Sequence, residues 1–285
     1  MLYLVSTPIG NLADITLRAL ETLKACDYIL CEDTRHSHIL LNHYQIHRPL
    51  KSYHKFNEAT RQESILQDLA SGKHICLISD AGTPGISDPG ADLVKICLEH
   101  HIPITAIPGP CAAIQALICS GLSTERFQFW GFLARKESEL KRELQTIFAY
   151  QGTTICYESP HRLLKVLELI QITQPQRLLV IARELTKKFE EIIRGTAQVL
   201  IEHWQHHPLK GEIVLLISPG SSEPSSDWAN LTPEEHVKWT QQTYHLTRKE
   251  ALRLVAELRG VPKRHLYQQL IHQDSSSKER DSQNE

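Results

Sequence analysis

Two short stretches concentrate side chains that can move a proton or hold a charge. "YESPHR" (Tyr157–Arg162) places Glu158, His161 and Arg162 together, an acid, a base and a cation at the end of an apolar run. "ARELTKKFEE" (Ala182–Glu191) gathers Arg183, Glu184, Lys187 and Lys188. Each has a plain structural alternative. Ser159 can cap a helix whose first turn begins at Pro160, and a charge run can be a solvated face. A third stretch, "DAGTPGISDPG" (Asp80–Gly90), carries three glycines and two prolines directly after the apolar run "HICLIS". A connector between a strand and a helix needs one or two such residues, because glycine frees φ and proline fixes it. This density points to a loop built around a ligand.

That loop has companions. "STPIGN" (Ser6–Asn11), "EDTRHS" (Glu32–Ser37) and "PGPCAA" (Pro108–Ala113) also follow apolar runs that read as strands. In open α/β sheets, ligands gather outside the carboxyl ends of the strands, near a switch in strand order. Small side chains there let backbone amides and carbonyls approach a ligand. The signatures G-x-x-x-x-G-K-[ST], G-x-G-x-x-G, G-x-S-x-G, H-E-x-x-H and paired C-x-x-C do not occur, so the expected ligand has no polyphosphate. His36 and His38 lack the company a metal site needs, and no metal is expected.

The elements that must position these loops alternate along the chain. Strands are expected at Leu2–Ser6, Asp27–Cys31, within "ICLIS" and within Ile102–Gly109, with helices near Asp14–Ala25, Thr34–Tyr44, Glu58–Ala70 and Ala91–His101. This order predicts a mostly parallel sheet covered by helices. A second set of strand candidates follows at Phe127–Leu133, Thr153–Glu158, Arg177–Leu185, Phe189–Ala197 and Glu212–Ser218. Several alternate apolar and polar residues, which predicts antiparallel pairing. The expected organisation is an α/β domain over 1–110, a second α/β domain over 111–220, a basic helical domain over 229–273 and an unstructured tail over 274–285. "SPGSSEPSSDW" (Ser218–Trp228) reads as a linker. The helical patterns of the third domain are Thr232–Gln242, Thr247–Leu258 and Lys263–Ile271. Thr247 with Glu250 forms a capping-box pattern.

Composition narrows the class. The 285 residues are 41% hydrophobic and 22% charged, with a formal net charge of −2, so any nucleic-acid surface must be local. Seven cysteines, odd in number and mostly inside apolar runs, fit reduced thiols rather than a disulfide framework. The N-terminus lacks a basic leader and no segment is long enough to cross a bilayer, so a cytoplasmic protein is expected. From Thr247 to His265 six cations (Arg248, Lys249, Arg253, Arg259, Lys263, Arg264) face two carboxylates, a net of +4. "GVPKRHLY" between two helical patterns suggests a helix-turn-helix-like unit. The alternative is a small capping bundle with solvated charges.

Taken in order, "VSTPIGNLADIT", "CEDTRHS", "SDAGTPGISDPG", "IPGPCAA", "FWGFL", "ESPHR" and "ARELTKKFEE" resemble the tetrapyrrole methylase superfamily of S-adenosylmethionine-dependent methyltransferases. They are most similar to its RNA branch, of the 16S rRNA (cytidine-2′-O)-methyltransferase type. The resemblance covers roughly residues 1–218, and the helical tail also fits that branch. It implies a class III two-domain fold and a homodimer, with S-adenosylmethionine held between the domains. Pro8, Asp80, Ala81, Gly82 and Thr83 would line the cofactor cleft, completed by Cys111, Ala112, Tyr157, Leu185 and Glu212. Cys111 stands where the family pattern has serine. The implied substrate is a cytidine 2′-hydroxyl in the decoding region of 16S rRNA; because one short basic unit is a modest RNA anchor alone, the small ribosomal subunit is favoured over naked rRNA as the form in which it is met. For that hydroxyl, Glu158, His161 and Glu184 are the candidate proton acceptors, which the sequence does not rank. Arg162, Arg183, Lys187 and Lys188 near the cleft, and Arg248, Lys249, Arg253, Lys263 and Arg264 in the tail, are candidates to hold RNA phosphates. Two competing expectations are a methyltransferase acting on a small tetrapyrrole and a non-catalytic RNA-binding assembly factor. The RNA-type loops and the basic tail speak against the first, and the cofactor cleft against the second.

Overall fold

The computed structural model describes residues 1–205, 210–220, 231–244, 246–267 and 270. The tail expected over 274–285, most of the linker and the end of the third tail helix lie outside the described residues. Two compact units are present, Met1–Gly220 and Ser221–Glu285.

The first unit holds two five-stranded sheets. In the first, β1 (Leu2–Val5), β2 (Tyr28–Cys31), β3 (Leu50–Ser52), β4 (Ile75–Leu77) and β5 (Ile104–Ile107) run parallel in the order β3-β2-β4-β1-β5. Their residues alternate between two cores. Val5, Ile29, Cys31 and Cys76 pack against Ala19 and Leu23 of α1 (Leu17–Ala25) and Leu40 and Leu41 of α2 (Thr34–His43). Leu2, Leu30, Ile75 and Leu77 pack against Ile65 and Leu69 of α3 (Glu58–Ala70) and Leu93 and Cys97 of α4 (Ala91–Glu99). A sheet buried on both faces explains why its strands read as continuous apolar runs. Strand β3 was not expected. It is a three-residue edge strand, "LKS", preceded by proline, and such edges carry little hydrophobic signal.

After α5 (Ala112–Ser120) comes the second sheet: β6 (Phe127–Phe132), β7 (Thr153–Glu158), β8 (Leu179–Arg183), β9 (Glu191–Gly195) and β10 (Ile213–Ile217). Its order is β6-β7-β10-β8-β9, antiparallel except for the β6–β7 pair. One face is covered by α6 (Glu137–Ala149), α7 (Pro160–Thr173) and α8 (Ala197–Gln205) around Leu144, Leu167 and Leu200. On the other face Ile155, Val180 and Val214 meet α5, and Ile9 and Ala81 from the first half join the same cluster. The halves therefore share a core where the loops of the first sheet meet the face of the second. Pro160 occupies the first turn of α7 as expected, but the Ser159 side chain makes no capping hydrogen bond.

In the second unit α9 (Pro233–Tyr244) and α10 (Arg248–Leu258) are followed by a helical turn over 263–267. Val237, Leu252, Val255 and Leu266 form its core. The Thr247 capping box is present: the Glu250 carboxylate accepts from the Thr247 amide at 2.9 Å and hydroxyl at 2.6 Å. Thr232 and Glu235 form a second one, with the amide at 2.8 Å, from the same T-x-x-E spacing.

Candidate active site

The four loops of the first sheet are knitted together. Thr7 and Gly82 exchange backbone hydrogen bonds at 2.8 and 3.1 Å, joining the first loop to the third. Thr83 donates to the Pro110 carbonyl at 3.2 Å and lies 3.1 Å from the Ser6 hydroxyl, which ties in the fourth. Asp33 caps α2 by accepting from the Arg35 amide at 2.8 Å, and its own amide donates to Asp80 Oδ1 at 3.1 Å. The second loop thus fixes the carboxylate of the third. Gly82 sits at φ 80°, where a side chain is strained. The irregular stretch Asp80–Gly90 therefore folds back on three neighbouring loops instead of starting a helix.

Against these loops the second sheet closes a cavity of about 460 Å³, within the roughly 300–1,000 Å³ range of ligand pockets. Asp80, Ala81, Gly82, Thr83, Cys111, Ala112, Tyr157, Leu185 and Glu212 all line it. Pro8 does not; it lines a smaller neighbouring pocket. Glu32 and Asp88, which are not among the expected lining residues, are also in the wall. Among the described residues no lysine or arginine lines this cavity, while five carboxylates do. Burial, then the negative charge of Glu32, with Asp80 adding to it, pushes Asp88 up to about 6. Burial followed by Asp80 also raises Glu32.

Tyr157 is held in the wall by two phenylalanines of β6. A bulge shifts the β6–β7 register between Phe129 and Gly131, which has φ 78°. Phe129 and Phe132, three residues apart, then both reach the Tyr157 ring, at 4.9 and 5.7 Å between centroids. In an unbulged strand that spacing would put them on opposite faces. Burial raises the Tyr157 hydroxyl to about 12.

The structure separates the three candidate proton acceptors. Glu158 lines the cavity with its side chain fully buried. Its Oε1 accepts from the Ser159 amide at 2.7 Å and lies 3.5 Å from the Arg162 guanidinium, while Oε2 has no hydrogen-bond partner. Burial raises its pKa against the opposing pull of the amide and Arg162. His161 is exposed and outside the cavity wall. Glu184 is also outside it, clasped by Lys187 at 2.8 Å and by the Glu212 amide at 2.9 Å. Although burial opposes it, the Lys187 hydrogen bond keeps Glu184 below its ordinary value.

The cations near the cleft are largely engaged. Arg162 donates to the Leu133 and Ala134 carbonyls at 3.0 and 2.6 Å. Arg183 pairs with Glu191 at 3.2 Å, donates to the Lys210 carbonyl at 3.2 Å and lies over Trp204. Lys187 bridges Glu184 and Glu212, the latter at 3.0 Å. Glu184 and Thr186 adopt left-handed φ of 51° and 65° around Leu185, so this clasp holds Leu185 in the cavity wall by a strained turn. Lys188 is exposed, beside the Phe189 ring. In the second unit Arg248, Lys249, Arg253, Lys263 and Arg264 are all exposed, whereas Arg259 donates to His236 Nδ1 at 3.0 Å and to the Leu231 carbonyl at 2.5 Å. Among the described residues, no three His, Cys, Asp or Glu side chains are grouped as metal ligands. No described helix is long and apolar enough to cross a membrane.

Residues 1–201 match the tetrapyrrole (corrin/porphyrin) methylase family. A Synechocystis protein named ribosomal RNA small subunit methyltransferase I is 47% identical over 271 residues, covering 94% of this chain and 96% of its own. The Bacillus subtilis protein of that name is 43% identical, covering 94% and 92%. Among solved structures, a Thermus thermophilus uroporphyrin-III C-methyl transferase complexed with S-adenyl homocysteine superposes with a TM-score of 0.54 at 17% identity, over 76% of this chain and 96% of that one. The chain belongs to the tetrapyrrole methylase family of S-adenosylmethionine-dependent methyltransferases, together with the proteins named ribosomal RNA small subunit methyltransferase I.

Proposed function

We propose that this protein transfers a methyl group from S-adenosylmethionine to the 2′-hydroxyl of a cytidine in the decoding region of 16S rRNA, with the small ribosomal subunit as substrate. The observation that carries the reaction is the carboxylate-rich cavity, with no described lysine or arginine in its lining and Glu158 buried in its wall. The substrate class is supported by the relatives' name and by their similarity along nearly the whole chain.

The residues present fit the cofactor. S-adenosylmethionine, with a sulfonium and an ammonium against one carboxylate, suits a wall with Glu32, Asp80 and Asp88, where Glu212 is already paired with Lys187 and no described lysine or arginine lines the cavity; a polyphosphate would be repelled. Apolar side chains of Ile9, Ala112, Leu185 and Val214 offer a surface for an adenine ring. When bound, the cofactor supplies an electrophilic methyl. Around it the protein must orient the acceptor and take one proton. Glu158 is the acceptor of that proton. Its Oε2 is unpartnered, burial makes the carboxylate a stronger base than an exposed one, and Arg162 and the Ser159 amide fix the other oxygen. His161 and Glu184 then fall outside proton transfer, with Glu184 serving the Lys187 clasp.

RNA phosphates would be met by Lys188 and by Arg248, Lys249, Arg253, Lys263 and Arg264, which are exposed. Arg162, Arg183 and Lys187 position the site. On this reading 1–110 and 111–220 supply the two halves of the cleft and 229–273 is an RNA-holding domain. A cytoplasmic homodimer completes the proposal. Ile118 and Ile114 of α5 are 67% and 43% exposed, and Phe127 and Phe129 of β6 are exposed on the sheet face that Ile155 shares; a second copy would cover these apolar side chains.

The test offers labelled S-adenosylmethionine with either small ribosomal subunits from cells lacking the protein or a uroporphyrin-type tetrapyrrole. Label in the RNA supports the proposal. Label only in the tetrapyrrole supports the small-molecule alternative, and cofactor binding with no transfer to either, or no cofactor binding, refutes the reading.

A further inference from the structure

The motif "EDTRHS" is only partly accounted for by capping α2 and holding Asp80. Its later residues open a second pocket, of about 260 Å³, at the carboxyl ends of β1, β2 and β4. Pro8, Ile39 and Leu40 give it apolar walls, and His36, Ser37 and Asp80 give it polar ones. Asp80 also lines the larger cavity, so the two spaces share that carboxylate as a wall. Ser37 is 3% exposed, its hydroxyl buried against the Cys31 thiol, so it contributes shape rather than an open hydrogen-bonding group. The volume lies below the roughly 300–1,000 Å³ of pockets for larger ligands. It suits a single planar ring with polar edges.

We propose that this second pocket receives the base of the nucleotide being methylated, splayed out of its strand, with the ribose left at the Asp80 wall beside the methyl donor. The inference rests on the RNA methyltransferase reading above. A base extruded from its stack is held by packing against apolar faces and by hydrogen bonds to its edge; Ile39, Leu40 and Pro8 supply the first, and His36 and Asp80 the second. Gly10 lines the same pocket, and a Cβ there would come within 2.4 Å of Lys187 Cγ. The Lys187 clasp thus runs along the pocket's edge, where a strand entering from the cleft would pass.

The test fills the pocket without touching the core. Ile39 is 63% exposed on α2, so Ile39→Trp adds bulk at the pocket mouth on a surface position. Leu98→Trp, at a position 61% exposed on α4, controls for bulk alone. Each variant is assayed for S-adenosylmethionine binding by calorimetry and for kcat/KM of methyl transfer to small subunits. The expected result is cofactor affinity unchanged in all, kcat/KM reduced at least about tenfold in I39W, and no change in L98W. Wild-type kcat/KM in I39W overturns the inference, as does loss of cofactor binding in I39W, which would make the pocket part of the cofactor site. If the wild-type protein labels no RNA, the reading beneath the inference fails, and the inference with it.

Discussion

Asp88 offers the sharpest prediction, because its charge is costly to the empty protein and useful to the bound one. Burial, Glu32 and Asp80 hold it at about 6, against 3.8 for the free side chain. The folded protein therefore favours the proton. This group's contribution to stability is fully present below pH 3.8 and is lost as pH rises through about 6. At pH 7 the ionised form costs up to about 3 kcal/mol, from about two pKa units at 1.36 kcal/mol each. Asp88→Asn removes that cost, so the empty variant should melt above the wild type at pH 7 and the difference should vanish below pH 4. Binding carries the opposite sign. A cationic ligand selects the ionised form, which is about nine-tenths populated at pH 7 and about one-tenth at pH 5. The wild-type Kd for S-adenosylmethionine should therefore weaken about tenfold between those values. S-adenosylhomocysteine, which lacks the sulfonium charge, should show a smaller change, and D88N should show little pH dependence with weaker binding at pH 7. Calorimetry from pH 5 to 7.5, with melting curves of the empty proteins, reads all of this. A wild-type Kd that is flat across the range, or D88N binding as tightly as wild type at pH 7, would refute the reasoning.

Glu158→Gln should lower methyl transfer by about 10²- to 10⁴-fold with cofactor Kd within about twofold, read by turnover and calorimetry. Because burial raises Glu158, the acid limb of the wild-type rate profile should lie above the ordinary carboxylate range, with turnover lost as pH falls through it. Gly82→Ala, at φ 80° with Ile9 Cγ2 3.3 Å from the added Cβ, should cost about 1–2 kcal/mol of unfolding free energy in urea. Replacing Arg253 and Lys263, both exposed, by glutamine should leave cofactor binding unchanged. The double variant should flatten the slope of log K against log salt for RNA binding by about 1.4 if both touch phosphate.

Much of this was legible in the chain because it is local. The run "LYLV" had to be a strand buried on both faces, and the glycines of "DAGTPGISDPG" had to serve a loop. The cofactor candidates from Asp80 to Glu212 fall in one cavity because each sits at or beside a strand end. What was not legible depends on partners distant in sequence. Arg183 and Lys187 read as free cations, but Trp204, Lys210 and Glu212 take up their charge and donors. Glu32 and Asp88 are ordinary acids until α2 and the third loop bring them together with Asp80. His161 and Glu158 are three residues apart, yet only Glu158 is buried, because it ends β7 inside the sheet while His161 lies on the exposed side of α7. The β6 bulge that gives Tyr157 two phenylalanine neighbours follows from Gly131 at positive φ, a conformation one glycine in "FWGFL" permits but does not announce.

The central claim is that the cavity between the two sheets delivers a methyl group to one ribose of small-subunit rRNA, with Glu158 taking the proton. Its most direct test is mass-spectrometric mapping of nuclease digests of that rRNA from cells lacking the protein, complemented with either wild type or E158Q. The account predicts a single 2′-O-methylated cytidine restored by wild type and absent or strongly reduced with E158Q. Unchanged digests on adding wild type, or full restoration by E158Q, would contradict it.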